Sequence, residues 1–250
     1  MTTELLNHPL IAERYFFPRP ERIAEPYWVE AAGARLACFS HRAHPGAKTL
    51  VHFHGNGETV ADYLDGFVDG VDALGLKLFL AEFRGYGMST GSPSLGRMLD
   101  DVEPLIRAVG CPVEEMVLFG RSVGSLFAIH GASLFPEVGG LILESAVADP
   151  LERLLLRIAP WELGCTAEEL AAAVAERLDH RGKLAAYRGP LLVMHTRNDE
   201  LVELSHGERL YRWAGGKKHL HVFPRGNHNN ILAVNAREYF GLVQNFVAGL

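Results

Sequence analysis

The 250-residue chain is 48% hydrophobic and 22% charged, with a formal net charge of -6. This composition supplies one sizeable core, and the acidic balance excludes a nucleic-acid partner because phosphate binding depends on clustered Lys and Arg. Three irregularly spaced cysteines exclude a disulfide framework and a zinc ribbon. The N-terminus lacks the features of a signal peptide, and no stretch has the length and apolar character of a membrane span. We therefore expect a soluble, cytoplasmic protein without an integral membrane segment.

Short apolar runs alternate along the chain with segments of helical period. They predict eight strands, at residues 27–31, 36–40, 49–53, 76–83, 116–119, 141–143, 191–195 and 220–223. Helices are predicted near residues 58–73, 95–109, 123–134, 205–213 and 231–248. After an initial hairpin, this alternation is typical of an α/β fold with a mostly parallel sheet and helices on both faces. We expect a single domain over residues 1–250.

The interval between the sixth and seventh predicted strands is too long for an ordinary crossover. We interpret residues 149–188 as a short cap of two helices inserted above the sheet, the second beginning at the capping box of Thr166 and Glu169. An apolar stripe at helical spacing on the first helix consists of Leu151, Leu154, Leu155 and Ile158. The stripe and Trp161 are candidates for substrate binding, and the alternative is that the stripe packs on the domain.

The spacing Gly-x-Ser-x-Gly occurs twice, at residues 87–91 and 120–124. A nucleophilic serine with this spacing lies in a strained turn between a strand and a helix, and the flanking glycines avoid collisions in the turn. Ser122 has an apolar run before it and a helical segment after it. Ser89 lies beyond its strand and is followed by Gly91 and Pro93, so we predict a loop residue there. The alternative role for Ser122 is a helix N-cap.

A serine hydroxyl becomes nucleophilic when an imidazole accepts its proton and a carboxylate orients that imidazole. Asp199 and His228 each follow a predicted strand, at the sheet edge where the Ser122 turn is expected. Asp199 could instead be a turn residue that binds its own backbone. Three other carboxylates compete with it for the acid role, namely Asp149, Glu200 and Glu203.

The chain contains 12 histidines, so position in the sequence must select among them. His195 and His221 lie within predicted strands, where we expect packing roles. His206 and His219 are expected at the surface. His228 is selected because it lies on the exit loop of the last predicted strand.

The tetrahedral intermediate of acyl transfer needs two backbone N–H donors, and loss of one typically costs about 3 kcal/mol of barrier. Val123, directly after Ser122, is the first candidate donor. The second is Asn56, in the HGNG loop after the third predicted strand. The alternative for this loop is an ordinary βα turn.

The segments HFHGNGE, EFRGYGMSTG, GRSVGS, HTRNDELV and GNHNN follow in that order. Together they resemble the α/β-hydrolase fold, and most of all the small serine hydrolases that include protein depalmitoylases and uncharacterised bacterial relatives. The resemblance runs from about Phe16 to the C-terminus. It implies an oxyanion hole and a catalytic triad formed by Asn56, Val123, Ser122, Asp199 and His228. It also implies that RGYGMSTG is a structural loop.

Four other classes of function compete with this interpretation. His52 and His54, predicted on one face of a strand, suggest a metallohydrolase, but the sequence offers no further ligands. A nucleotide-binding oxidoreductase is disfavoured because GYG at residues 85–87 lacks the third glycine of its motif. A non-catalytic binding protein and a cofactor-free oxidoreductase share the fold and stay open alternatives.

We predict a hydrolase acting on a small-molecule or acyl ester or thioester, with an amide as a lesser alternative. Neither a metal nor an organic cofactor is expected. The sequence does not indicate an oligomeric state.

Overall fold

A computed structural model of the chain describes residues 2–250 and contains an eight-stranded sheet in the order β1-β2-β4-β3-β5-β6-β7-β8. The strands are β1 (Tyr27–Ala31), β2 (Ala34–His41), β3 (Thr49–Phe53), β4 (Lys77–Ala81), β5 (Met116–Arg121), β6 (Gly140–Glu144), β7 (Leu191–Thr196) and β8 (Lys218–Phe223). The β1–β2 and β2–β4 pairs are antiparallel and the remaining pairs are parallel. The predicted mostly parallel sheet of about eight strands is confirmed.

The α-helices of the described chain flank this sheet. They are α1 (Thr2–Leu5), α2 (Pro9–Tyr15), α3 (Phe67–Ala73), α4 (Leu95–Asp100), α5 (Val102–Ala108), α6 (Gly124–Leu134), α7 (Pro150–Leu155), α8 (Ala167–Leu178), α9 (His180–Ala186), α10 (Leu204–Trp213) and α11 (Ile231–Ala248). Short 3₁₀ turns span Val60–Tyr63, Val113–Glu115 and Pro160–Leu163. No helix in residues 2–250 combines the length and apolar character needed to cross a membrane.

Both faces of the central strands are buried, which explains their continuous apolar runs. On one face, Val51 and Phe53 of β3 belong to a core shared with α4 to α6 and α8 to α10. On the other face, Leu50 packs with residues of α3 and α11. The helices therefore cover both faces, as expected.

Two predicted helices divide in the structure, and the 149–188 interval contains three α-helices where two were predicted. The one near 58–73 is interrupted before Gly66, which adopts a φ of +75° and precedes α3. The one near 95–109 divides at Asp101, whose carboxylate is bound by Arg84. The second helix of the 149–188 interval ends at Asp179, whose side chain accepts a hydrogen bond from Gly182 N and so caps α9.

The N-terminal helices α1 and α2 were not predicted. Pro9 occupies the first turn of α2, and His8 Nδ1 accepts a 3.2 Å hydrogen bond from Leu10 N. This is a start signal that the sequence does contain, since proline at the first helical position lacks only an N–H that would be unpaired anyway. Ile11 buries α2 against the sheet's larger core.

Candidate active site

Ser122 lies at the apex of the turn between β5 and α6, with a φ of +51°. A non-glycine residue rarely adopts this left-handed conformation, so the turn is strained. There is no room for a side chain at either of the neighbouring glycines, Gly120 and Gly124. A Cβ on Gly120 would lie 2.6 Å from Ser125 Cα, and one on Gly124 would lie 2.1 Å from Phe53 O. The spacing of the motif is therefore a steric requirement of this turn.

The side chains of Ser122, His228 and Asp199 form a continuous hydrogen-bonded row. Ser122 Oγ lies 2.9 Å from His228 Nε2, and His228 Nδ1 lies 2.8 Å from Asp199 Oδ2. Asp199 also behaves as a turn residue, because its Oδ1 accepts bonds from Leu201 N at 3.0 Å and Val202 N at 2.8 Å. The Asp199 carboxylate therefore both contacts His228 and binds the backbone of its own turn.

The ionised form of Asp199 is favoured in this position. Burial alone would raise the pKa of its carboxyl, but the hydrogen bond and charge of His228 outweigh burial and hold the pKa below its ordinary value. A carboxylate oxygen of Asp199 accepts a hydrogen bond from His228 Nδ1, and the other ring nitrogen, Nε2, faces Ser122. The carboxylate thus fixes the orientation of the ring.

The three competing carboxylates lie elsewhere. Asp149 accepts a 3.0 Å hydrogen bond from Glu152 N and caps α7. Glu200 and Glu203 are exposed. Among the described residues, only Asp199 presents a carboxylate to His228.

Ser89 and His206 take structural positions. Ser89 lies outside helices and strands, and its Oγ accepts a 2.9 Å hydrogen bond from Ala37 N of β2. The expectation that His206 is a surface residue is wrong, because its side chain is buried and its Nδ1 accepts a 3.1 Å hydrogen bond from Ala148 N. His206 thereby supports the segment that leads from β6 into α7.

Asn56 and Val123, which carry the two candidate oxyanion N–H donors, both border the same cavity as Ser122. Neither N–H takes part in a backbone hydrogen bond among residues 2–250. The Asn56 side chain is bound instead, since its Oδ1 accepts from Phe17 N at 3.2 Å and from Tyr86 Oη at 3.1 Å. These bonds fix the loop while leaving its N–H unpaired.

His54 controls the orientation of the peptide that carries Asn56 N. Its Nδ1 donates to Gly55 O at 2.8 Å, and its Nε2 lies 2.7 Å from Glu82 Oε1. The C=O and N–H of a planar trans peptide point in opposite directions, so holding Gly55 O against the ring turns Asn56 N–H the other way. Burial alone would lower the pKa of His54, but Glu82 outweighs burial and raises it.

The prediction that His52 and His54 share one face of a strand is wrong. His52 packs against Tyr63, with ring centroids 4.4 Å apart, on the α3 and α11 face. His54 packs against Phe83, with centroids 4.1 Å apart, on the opposite face. Within residues 2–250, no group of three or more His, Cys, Asp or Glu side chains is placed to hold a metal ion.

Arg121, directly before Ser122, joins three segments of the site. Its Nη1 lies 2.6 Å from Glu58 Oε1, its Nε lies 3.2 Å from Glu144 Oε1, and its Nη2 donates to His228 O at 2.9 Å. Glu58 in turn accepts a 2.6 Å hydrogen bond from Gly55 N. Arg121 was not predicted as a site residue, although a charge at the end of a fully apolar strand is a signal that it must be paired.

The cavity beside Ser122 has a volume of about 110 Å³. Its walls come partly from elements that were not predicted to belong to the site. Ile11 and Tyr15 of α2 form one side, and Arg153 of α7 and Arg157 form another. The N-terminal segment and the 149–188 interval therefore meet over the serine.

Of the five candidate substrate-binding residues, Leu154 borders this cavity. The other four do not. Ile158 is buried in the core and Leu151 packs partly buried against it. Leu155 is 48% exposed and Trp161 is 77% exposed. The stripe therefore serves mainly to pack the cap, and one of its members reaches the site.

The family model for "Serine aminopeptidase, S33" matches residues 44–185. Alpha/beta hydrolase domain-containing protein 17C of Xenopus laevis is 26% identical over 189 residues, covering 74% of this chain and 57% of that protein. The uncharacterized protein YfhR of Escherichia coli O157:H7 is 26% identical over 191 residues, covering 72% of this chain and 62% of its own length. The chain thus spans less than two thirds of the length of these relatives.

A solved esterase structure from Pyrococcus furiosus superposes with a TM-score of 0.68, at 16% identity, over 94% of this chain and 97% of that one. At this identity the likeness establishes the fold alone. It confirms the α/β-hydrolase fold that the motifs resemble. Because the family match spans more than half of the sequence, the chain belongs to the serine aminopeptidase S33 family of α/β hydrolases.

Proposed function

We propose that this chain is a serine hydrolase that cleaves a small ester or thioester through an acyl-enzyme on Ser122. His228 Nε2 accepts the proton of Ser122 as Oγ attacks the carbonyl carbon, and donates it to the leaving alcohol or thiol as that bond breaks. Water then attacks the acyl carbon and gives a proton to His228, which returns it to Ser122 as the acid departs. The serine and histidine are thus regenerated in each cycle.

The remaining groups stabilise charge during these steps. Asp199 orients His228 and stabilises the imidazolium, a role supported by the lowered pKa of its carboxyl. The N–H groups of Asn56 and Val123 bind the negative oxygen of each tetrahedral intermediate. The observation that carries the proposal is the row from Ser122 Oγ to His228 to Asp199, with contacts of 2.9 and 2.8 Å, at the edge of an open cavity.

The comparisons support the hydrolytic class. The matching family is named for serine aminopeptidases, and the Pyrococcus furiosus structure of the same fold is an esterase. An ester or thioester is favoured over an amide because an alcohol or thiol leaves the tetrahedral intermediate more readily than an amine does. The same site therefore cleaves it with less stabilisation of the leaving group.

We further propose that residues 149–188 form the cap of a single α/β-hydrolase domain and restrict the acyl group. Arg153 and Leu154 of α7 border the cavity, so movement of this segment would change its size. A volume of about 110 Å³ favours a short acyl group, since pockets that enclose larger ligands typically measure about 300–1,000 Å³.

The test is hydrolysis of nitrophenyl esters from acetyl to palmitoyl by the purified chain, with Ser122→Ala as the matched control. We expect the highest kcat/KM for short acyl groups and a loss of about 10⁴-fold or more in kcat for Ser122→Ala. Turnover that survives in Ser122→Ala would contradict the serine mechanism. A rate that does not change with acyl length would contradict the size restriction alone.

A further inference from the structure

Two arginines border the cavity that contains Ser122. Arg153 lies near the C-terminal end of α7 and Arg157 follows it by four residues. We call this pair the cavity arginines. No Asp or Glu side chain borders the same cavity in the described chain. Its charged lining is therefore entirely positive, although the chain carries a net charge of -6.

Two carboxylates of the 149–188 segment, Glu152 and Glu162, are paired with other arginines. Glu152 Oε2 lies 2.9 Å from Arg209 Nη2, and Glu162 Oε1 lies 2.7 Å from Arg14 Nη2. The second of these pairs is bidentate, since Arg14 Nη1 also contacts Glu162 at 3.0 Å. Within residues 2–250, neither cavity arginine has a carboxylate within ion-pair distance. Glu152 and Glu162 are therefore bound by arginines that do not border the cavity.

The Arg157 side chain and the backbone of Arg153 are nevertheless held in place. Arg157 Nη1 donates to Arg14 O at 2.8 Å, and its guanidinium lies 5.4 Å from the ring centroid of Tyr15. Tyr15 Oη donates to the backbone oxygens of Arg153 and Leu154, the latter at 2.8 Å. These contacts fix the backbone and one guanidinium nitrogen of the pair, and they leave all of its N–H donors without an anionic partner.

We propose that the substrate carries a carboxylate, bound by Arg153 and Arg157 while its ester carbonyl lies at Ser122. The inference rests on the proposed function and specifies its substrate class. Arg153 is half-buried and Arg157 is exposed, so Arg153 is the guanidinium that gains more from an anion than it would in water. The planar fork of each guanidinium matches a carboxylate. The carboxylate is chosen over a phosphate as the smaller of the two anions that form bidentate pairs with a guanidinium.

The test compares esters of similar size, one of which carries a carboxylate in each pair. One pair, 3-acetoxybenzoate and its methyl ester, carries the charge on the leaving group. A second pair, mono-(4-nitrophenyl) adipate and 4-nitrophenyl hexanoate, carries it on the acyl group. We expect kcat/KM for the anionic member to exceed that for the neutral member by about tenfold in at least one pair.

The double variant Arg153→Gln/Arg157→Gln should reduce this ratio to about one, and Arg153→Lys/Arg157→Lys should restore part of it. A ratio is used because a loss of folded protein lowers both rates together. The control is Arg237→Gln, which removes one positive charge at an exposed position on α11 and should leave the ratio unchanged. Equal rates within both pairs, or a preference that survives in the double glutamine variant, would overturn the inference.

The outcome also separates this inference from the proposed function. If wild type hydrolyses the neutral esters without preference, the hydrolase proposal stands and the carboxylate inference fails. If wild type hydrolyses none of the four esters, the hydrolase proposal fails. In that case the binding of 3-hydroxybenzoate is measured by calorimetry. Binding to wild type that is lost in the double glutamine variant supports the carboxylate site. Equal results for the two proteins overturn it.

Discussion

Replacing Arg121 with methionine should destabilise the protein strongly, because two acids lose their cation at once. The side chain of Arg121 is 10% exposed and that of Glu144 is 2% exposed, so water cannot easily replace the guanidinium at Glu144. Removing one member of a buried ion pair typically costs about 3–5 kcal/mol. Glu58 is 24% exposed and can be partly rehydrated. We therefore expect the lower end of this range, about 3 kcal/mol of unfolding free energy.

The destabilisation of Arg121→Met should depend on pH in a defined direction. Burial already raises the pKa of Glu144 above its ordinary value, although Arg121 opposes this rise. Without Arg121 the pKa of folded Glu144 rises further, so the folded variant binds a proton that the unfolded chain releases. Stability then falls as pH increases through that range. The deficit relative to wild type should be smaller at about pH 5 than at about pH 8.

The assay is urea unfolding of wild type, Arg121→Met and Arg121→Met/Glu144→Gln at both pH values. The double variant removes one of the two unpaired acids and should recover about 1–2 kcal/mol at the higher pH. A deficit below about 1 kcal/mol at both pH values, with no recovery in the double variant, would refute the reasoning. Such a result would mean that Arg121 and Glu144 behave as a solvated pair.

Three further predictions concern the serine turn and its partners. Ser122→Gly should raise the unfolding free energy by about 1 kcal/mol in urea titrations, because glycine relieves the +51° φ, whereas Ser122→Ala should not; equal stabilities would contradict the strain. Asp199→Asn should lower kcat for a short nitrophenyl ester by about 10⁴-fold with little change in fold by circular dichroism, and near-native turnover would contradict its orienting role. Gly124→Ala should lower the unfolding free energy by about 3 kcal/mol or prevent folding, because the new Cβ meets Phe53 O. The control Gly241→Ala, whose Cβ meets no atom within 4 Å, should raise the unfolding free energy by about 0.5–1 kcal/mol. Thermal melts that show equal effects would contradict the steric argument.

The sheet could be predicted from the sequence because its strands are buried on both faces. Each of the eight predicted strands overlaps an observed one, and the differences lie at their ends, as for the run 76–83 against Lys77–Ala81. Helix boundaries were less predictable. The break at Asp179 depends on a side chain that caps a new helix, and periodicity continues across such a position.

The row of Ser122, His228 and Asp199 was inferred from the order of strands and loops, since carboxyl ends of parallel strands meet at one edge. The cavity walls could not be inferred in this way. Which side of α7 faces the serine depends on how α2 docks against it, through contacts such as Tyr15 with the backbone at Leu154. Arg121 and His54 were likewise missed as positioning residues, because their roles depend on contacts with segments distant in the sequence.

The central claim is that one hydroxyl, that of Ser122, forms the covalent intermediate. Its most direct test is labelling of the folded protein with a fluorophosphonate, followed by mass spectrometry of the peptide that contains the modified residue. We expect one adduct, on Ser122, that is abolished in Ser122→Ala and retained in Ser89→Ala. An adduct that persists unchanged in Ser122→Ala would contradict the account.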